Sequence, residues 1–349
     1  MKIIAEAGVN HNGSLETAKK MVDAAVEAGA DYIKFQTFHA HSLVTALCEA
    51  ANYQKENAGA TSQEDMLKNL ELKYDDFKEL KAYCDKKGIG FLSTAFDEDS
   101  IDFIASLNPD YMKVPSGEIT DLPFLRKMAS TGIPVIISTG MSTPEEIAKA
   151  LVPFRKAGYA SEDIILLHCT TQYPTPMEDV NLKAMNTVSG NFGHPAGYSD
   201  HTLGIEVPIA AATLGATIVE KHFTLDRNME GPDHKASLEP HELSAMVKAI
   251  RNITVALGHG VKEVKDSEKD NITAARRSIV AARPISKGQV ITEEDICTKR
   301  PATGLSPMLW DKVVGSKAVK DFAPDDLIEI DEGWRLEVGG FRLSYNSKK

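Results

Sequence analysis

From the first residue to about residue 257, short apolar or β-branched runs alternate with longer stretches whose apolar residues recur at helical spacing. The runs at 3–6, 32–36, 90–94, 111–114, 134–138, 164–168, 196–199 and 217–220 are predicted strands. The stretches at 15–28, 74–87, 98–106, 122–130, 144–157, 182–188, 204–214 and 240–257 are predicted helices. In the first of these, Ala18, Met21, Val22 and Ala25 form an apolar face and Gly29 marks the stop. Asp97 and the pair Ser142 and Thr143 stand where helix N-caps are wanted. A strand followed each time by a helix favours parallel pairing, and eight such units predict an α/β fold, a closed (β/α)8 or TIM barrel. The rival, an open doubly wound sheet, lacks the G-x-G-x-x-G expected after its first strand.

Two segments break the alternation. Residues 38–72 separate the second strand from its helix, far more than the usual 2–6 residues, and a long loop at that end of a barrel reads as a lid or a substrate wall. Beyond residue 258 the helical periodicity stops. A charged stretch at 262–270 leads into strands at 278–282, 290–291 and 297–300, with a further strand-turn pattern at 320–327. This divides the chain into a barrel domain at 1–260, a linker at 261–276, a small C-terminal module at 277–334 and a patternless tail at 335–349, expected to be disordered. The module is too small for complex chemistry and reads as a docking or lid domain.

The length of 349 residues accommodates a barrel of ~250 residues with such a module. A formal charge of −11 argues against nucleic acid as a partner, so an anionic substrate has to be held by local Lys and Arg. The cysteines Cys48, Cys84, Cys169 and Cys297 form no C-x-x-C pair, which suits a reducing compartment and excludes a disulfide framework. The chain enters a strand at Ile3 without room for a signal peptide, and no apolar run approaches the ~20 residues of a membrane span. The expectation is a soluble cytoplasmic protein without a membrane partner.

In a TIM barrel the side chains at the C-terminal strand ends converge on one pocket. Those ends carry Glu6, then Lys34 and Gln36, Thr94, Lys113 with Ser116 and Glu118, Ser138, Gln172 with Tyr173, and Ser199. The last two strands also bring His201 and His222. Neighbouring strands lie about 5 Å apart, so these imidazoles can share one divalent cation of the Mn, Fe, Co, Ni or Zn type; the plainer reading makes each a hydrogen-bonding strand-end residue. Buried ammonium groups are costly without partners, so Lys34 and Lys113 beside hydroxyls suggest a cradle for phosphate or carboxylate. Their alternatives are a salt bridge to Glu6 or Glu118, or a Schiff base on one lysine. Glu6 and Glu118 are suited to metal-bound water, a sugar hydroxyl or a proton. Ser138 to Gly140 reads as an anion contact rather than a nucleophile, Cys169 as core, Asp233 as a sugar-hydroxyl acceptor and His234 as peripheral.

Taken in order, the motifs AEAGVNHNG at 5–13, KFQT at 34–37, KVPSGE at 113–118, STGM at 138–141, HCTTQYPTP at 168–176, SDHT at 199–202, EKHFT at 220–224 and KRP at 299–301 resemble the sialic acid synthase family. That resemblance covers most of the chain and makes the terminal module similar to an antifreeze-like, or SAF, domain. It implies condensation of phosphoenolpyruvate with N-acetylmannosamine and water, giving N-acetylneuraminate and phosphate. It implies that His201 and His222 hold Mn²⁺, with Mg²⁺ or Co²⁺ as alternatives. Lys34, Thr94, Lys113 and Ser116 map to phosphate contacts, and Ser138 and Ser199 to carboxylate contacts. Glu6, Gln36, Glu118, Tyr173 and Asp233 map to the metal-water and sugar side. Gln172 departs from the family's Asn two residues before Pro-Thr-Pro. The resemblance also implies a domain-swapped homodimer in which Arg300 reaches the sugar's acyl-amino group in the partner.

Within this class the rivals are legionaminate or pseudaminate synthases, which take a 2,4-diacetamido-trideoxyhexose. A synthase for the 9-phosphate needs a further basic cluster that is not evident. A Schiff-base aldolase and a carbohydrate-binding module are more remote. The exchange of the terminal module has a direct consequence: the active species should sediment as a dimer, and a fully active monomer would rule out closure by Arg300 of a second copy.

Overall fold

The strands of the first unit are β1 (Lys2–Gly8), β2 (Tyr32–Thr37), β3 (Gly90–Ala95), β4 (Met112–Val114), β5 (Val135–Ser138), β6 (Ile164–His168), β7 (Ala196–Asp200) and β8 (Ile218–His222). The structure is a computed structural model that describes residues 1–44, 62–331, 336–338 and 341–343. Pairing is parallel in the order β3-β2-β1-β8-β7-β6-β5-β4, and β3 packs beside β4, so the sheet closes into a (β/α)8 barrel. This unit spans Met1–His259, and a second spans Gly260–Lys349.

Period-two alternation sorts each strand. Ile3, Ala5, Ile33, Phe35 and Val219 point outward into an apolar layer shared with helices Leu15–Ala28, Tyr74–Lys87 and Pro240–Ala256. A second such layer lies on the side of Met112, Val114, Val135, Ile137 and Leu166. The inward residues Ile4, Tyr32, Leu92, Ile136, Ile165, Leu167 and Ile218 form a separate apolar plug inside the barrel. Two residues further along four of these strands stand Glu6, Lys34, Ser138 and Glu220. The apolar plug is therefore the floor beneath a polar layer.

The predicted strands and barrel helices reappear, with shifted ends. One helix runs Ala184–Phe192 rather than 182–188, continuing past Gly190 and closing at Gly193. Among its described residues, the long segment after β2 holds the helices Ala40–Leu43 and Gln63–Leu70. Phe38, Met66, Leu67 and Leu70 pack with Val9 over the barrel mouth. The part of that predicted loop at 45–61 lies outside the described residues.

In the second unit, β9 (Ser278–Ala281) pairs antiparallel with β10 (Ile296–Lys299) around Ile279, Ile285, Ile291, Ile296, Phe322 and Ile328. The charged stretch expected to be a linker is partly helical, Lys269–Ala275. The Glu268 carboxylate accepts from the Lys265 amide at 3.0 Å and so caps the turn before it. The tail is not patternless: β11 (Leu336–Val338) pairs antiparallel with β12 (Phe341–Leu343). Leu-Glu-Val and Phe-Arg-Leu around Gly339 and Gly340 constitute a hairpin signal that the sequence reading passed over.

Asp295 ties the second unit together. Its carboxylate accepts from the Thr292 amide and hydroxyl, both at 2.8 Å, and from Arg283 Nε at 2.7 Å. These bonds, the Thr292 amide first and then Arg283, hold it down to about 2 against the usual carboxylate value near 3.8. A carboxyl depressed in the folded state contributes stability above its unfolded value and loses it as pH falls through the folded one. Both tryptophans, Trp310 and Trp334, belong to this unit, so tryptophan fluorescence reports on it selectively. Asp295→Ala should destabilise the unit by roughly 1–3 kcal/mol at neutral pH. It should also flatten the loss of stability between pH 4 and 2; a variant with the wild-type acid profile would contradict this assignment.

Candidate active site

A cavity of about 260 Å³ opens among the C-terminal strand ends, lined at depth by Glu6, Lys34, Lys113, Ser138, Ser199 and Glu220. In-register pairing puts Glu6 beside Lys34 on one side and His222 on the other, and Ser199 beside Glu220. Every member of this layer is buried.

Lys34 Nζ lies 2.9 Å from Glu6 Oε2 and 3.7 Å from Glu220 Oε2, and it donates to Thr94 Oγ1 at 2.9 Å. Lys113 Nζ donates to Ser138 Oγ at 2.8 Å and lies 3.8 Å from Glu220 Oε1. Ser199 Oγ donates to the same Glu220 oxygen at 3.0 Å. The lysines are thus both hydroxyl-flanked and ion-paired. Their common partner is Glu220, a residue of the EKHFT motif that is not among the sequence-predicted site residues. Its signal was available: Glu220 precedes His222 by two residues on a strand, so the two share a face.

The two carboxylates differ in environment. Burial pushes Glu6 up to about 7, only partly offset by Lys34. Against the same burial, Lys113 and then Lys34 hold Glu220 down to about 2. Burial thus moves Glu6 toward its neutral form while Glu220 stays ionised, which shifts the balance of the layer toward its two lysines and makes it more receptive to an anion. Burial lowers Lys113, whereas Lys34 is raised, Glu220 and Glu6 outweighing its burial.

Above this layer three rings meet. Tyr173 lies 4.1 Å from His201 and 5.6 Å from His222, centroid to centroid, and the imidazoles are 5.4 Å apart. Burial drops His201 to about 4 and His222 well below its usual value, so both are neutral with a lone pair to offer. His201 Nδ1 meets the Thr170 carbonyl at 2.5 Å, which commits that nitrogen as donor and leaves Nε2 as acceptor. His222 Nδ1 is buried without a hydrogen-bond partner among the described residues. Among the described residues no group of three or more His, Cys, Asp or Glu could hold an ion, so an ion here would rest on two imidazoles and complete its shell with water or substrate.

Gly140 is needed where it stands. A Cβ there would come within 2.6 Å of Thr171 Cγ2 and 2.8 Å of Ser116 Oγ. Its amide donates to Ser116 Oγ at 3.1 Å, and Ser116 Oγ is 3.3 Å from Cys169 Sγ. Cys169 is buried, as expected of core, yet it lines the cavity.

Asp233 lines the mouth, buried and pushed up by that burial to about 6. His234 is not peripheral, as the sequence reading had it, but fully buried. Its Nδ1 meets Thr224 Oγ1 at 2.7 Å and its Nε2 meets Asn12 Oδ1 at 3.2 Å, clamping the loop that carries Asp233. Gln36 Nε2 reaches Glu6 Oε1 at 3.5 Å. Glu118 is half-buried in the turn after β4, raised by burial and Asp121, and lies outside the cavity lining. Gln172 is exposed and also outside it. Arg300 is exposed in the second unit.

The sequence profile of the NeuB family matches residues 21–262. The chain belongs to the NeuB family. A SAF domain matches residues 276–332. The N,N'-diacetyllegionaminic acid synthase of Campylobacter jejuni is 48% identical over 93% of this chain and 98% of its own length. A pseudaminic acid synthase of the same species is 36% identical over 94% and 95%. The crystal structure of an N-acetylneuraminic acid synthetase from Leptospira borgpetersenii in complex with citrate superposes with a TM-score of 0.68 at 36% identity, covering 77% of this chain and 89% of that one. The barrel and its C-terminal SAF domain thus belong to a group of sialic-acid-type synthases.

The charged layer makes Glu220 structurally decisive. Glu220→Gln should cost roughly 3–5 kcal/mol by leaving buried ammonium groups underpaired, while Ser199→Ala should cost about 1 kcal/mol. Chemical unfolding followed by far-UV circular dichroism measures both, and equal small losses would contradict the central place given to Glu220.

Proposed function

We propose that this NeuB-family chain condenses phosphoenolpyruvate with an open-chain 2,4-diacetamido-trideoxyhexose, forming a legionaminate-type sugar acid and releasing phosphate. The observation that carries the choice of sugar is the apolar wall over the mouth. Phe38, Leu43, Met66, Leu67, Leu70 and Phe96 line one side of the cavity. A deoxygenated carbon and a second acetamido methyl suit such a wall, whereas the hydroxyls of N-acetylmannosamine would lose water there without partners. The identities favour the same choice, 48% to a legionaminic acid synthase against 36% to the N-acetylneuraminic acid synthetase.

The anionic substrate sits on the charged layer in this reading, its phosphate and carboxylate taken by Lys34, Lys113, Thr94, Ser116, Ser138 and Ser199. Its methylene carbon bonds to the aldehyde carbon of the sugar. Water then adds at the carbon bearing the phosphate, and that carbon–oxygen bond breaks to release inorganic phosphate. Asp233 accepts from a sugar hydroxyl, positioned by the His234 clamp. The unspent nitrogens of His201 and His222 fit a divalent ion of the Mn²⁺ type. When bound, such an ion would polarise the aldehyde carbonyl.

One observation favours a second reading: the buried Lys113 is lowered, as a Schiff-base lysine must be. Phosphate release from phosphoenolpyruvate, assayed with Mn²⁺ and with EDTA against both sugar types, separates the cases. Metal-dependent turnover fastest on the diacetamido sugar is expected. Preference for N-acetylmannosamine would overturn the sugar assignment, and metal-independent turnover with borohydride trapping would transfer the chemistry to Lys113.

A further inference from the structure

Behind the two histidines lies an ion pair that touches nothing in the cavity. Lys221 and Asp200 are direct partners across β8 and β7. Both are fully buried, and neither lines the cavity. Lys221 Nζ donates to Asp200 Oδ2 at 2.5 Å and also to the Thr202 carbonyl. Asp200 in turn accepts from the Thr202 amide at 3.2 Å and the Thr202 hydroxyl at 3.0 Å. Lys221 immediately precedes His222, and its ammonium holds the residues on both sides of His201. One side chain therefore links the two histidine-bearing strand ends at the two positions that flank His201.

Stability does not account for this pair. Apolar residues of similar volume commonly match or exceed a buried ion pair, and Tyr198 and Val219 on these strands join the apolar outward layer, with Glu242 and Glu206 the further charges felt by Lys221. Register is a better account. A slip of one residue turns a strand's inward set outward; an apolar outer face tolerates such a slip, whereas a single Lys opposite a single Asp does not. We propose that Lys221 and Asp200 are positioning residues that set the spacing and orientation of His201 and His222 toward a shared divalent ion. This rests on the reading of those histidines as metal ligands.

The test is Mn²⁺ titration of the full-length protein, followed by electron paramagnetic resonance of the free ion, with thermal unfolding by circular dichroism in parallel. The wild type should bind one ion, and His201→Ala should abolish binding. The apolar pair Lys221→Met with Asp200→Leu should keep a midpoint near that of the wild type yet bind Mn²⁺ about 10–100-fold more weakly, the usual effect of losing a support behind a ligand. Asp200→Glu, which retains the charges but displaces the carboxylate by one methylene, should weaken binding in the same direction. It decides the matter if the apolar pair does not fold. Affinity within about twofold of wild type in either folded variant would overturn the positioning role. Failure of the wild type to bind Mn²⁺, or binding untouched by His201→Ala, would remove the metal reading and the proposal with it.

Discussion

The constraint on which the barrel's chemistry depends is electrostatic: two ammonium groups and two carboxyls enclosed where water cannot screen them. Isolated burial of any one would be costly, so Lys34, Lys113, Glu6 and Glu220 are tolerable only as a set. Glu220 sits between both lysines and is kept ionised, while Glu6 is driven toward its neutral form. The asymmetry lets a nominally balanced quartet present positive charge. Hydroxyls from Thr94, Ser138 and Ser199 complete it with donors and acceptors that add no charge of their own.

That layer is possible because the strand period and the barrel closure agree. Each inward polar residue follows an inward apolar one by two positions, as Glu6 follows Ile4 and Glu220 follows Ile218. The loops above are held by contacts remote in sequence. Asn12 meets His234 of the neighbouring loop, and Asn10 Nδ2 donates to the Phe223 carbonyl and to Ser237 Oγ, each at 2.9 Å. These contacts join the loop after β1 to the one after β8, where a barrel has to be closed.

Such closure explains what could be read in advance and what could not. The repeat of strand and helix, and the polar residue at each strand end, are local patterns, and the barrel and most of its lining follow from them. Glu220 is legible only in the period-two alternation of β8, two residues before His222, and not in the EKHFT motif as a whole. His234 looked peripheral because its burial depends on Asn12 and Thr224, and neither contact is visible as a pattern. Glu118 and Gln172 belong to recognisable motifs, yet neither lines the cavity: Glu118 is half-buried at the end of a short turn and Gln172 is exposed, and a motif does not show burial. The helices within the long loop and the hairpin near the C-terminus were missed because short elements carry too few residues for periodicity to register.

The apolar floor has one further consequence. Ile4, Leu92, Ile136, Ile165, Leu167 and Ile218 close the barrel from below, so among the described residues the chamber is blind at its charged depth and opens toward the C-terminal strand ends. A ligand that reaches its charged depth therefore shares one chamber with whatever is seated near Tyr173, His201 and His222.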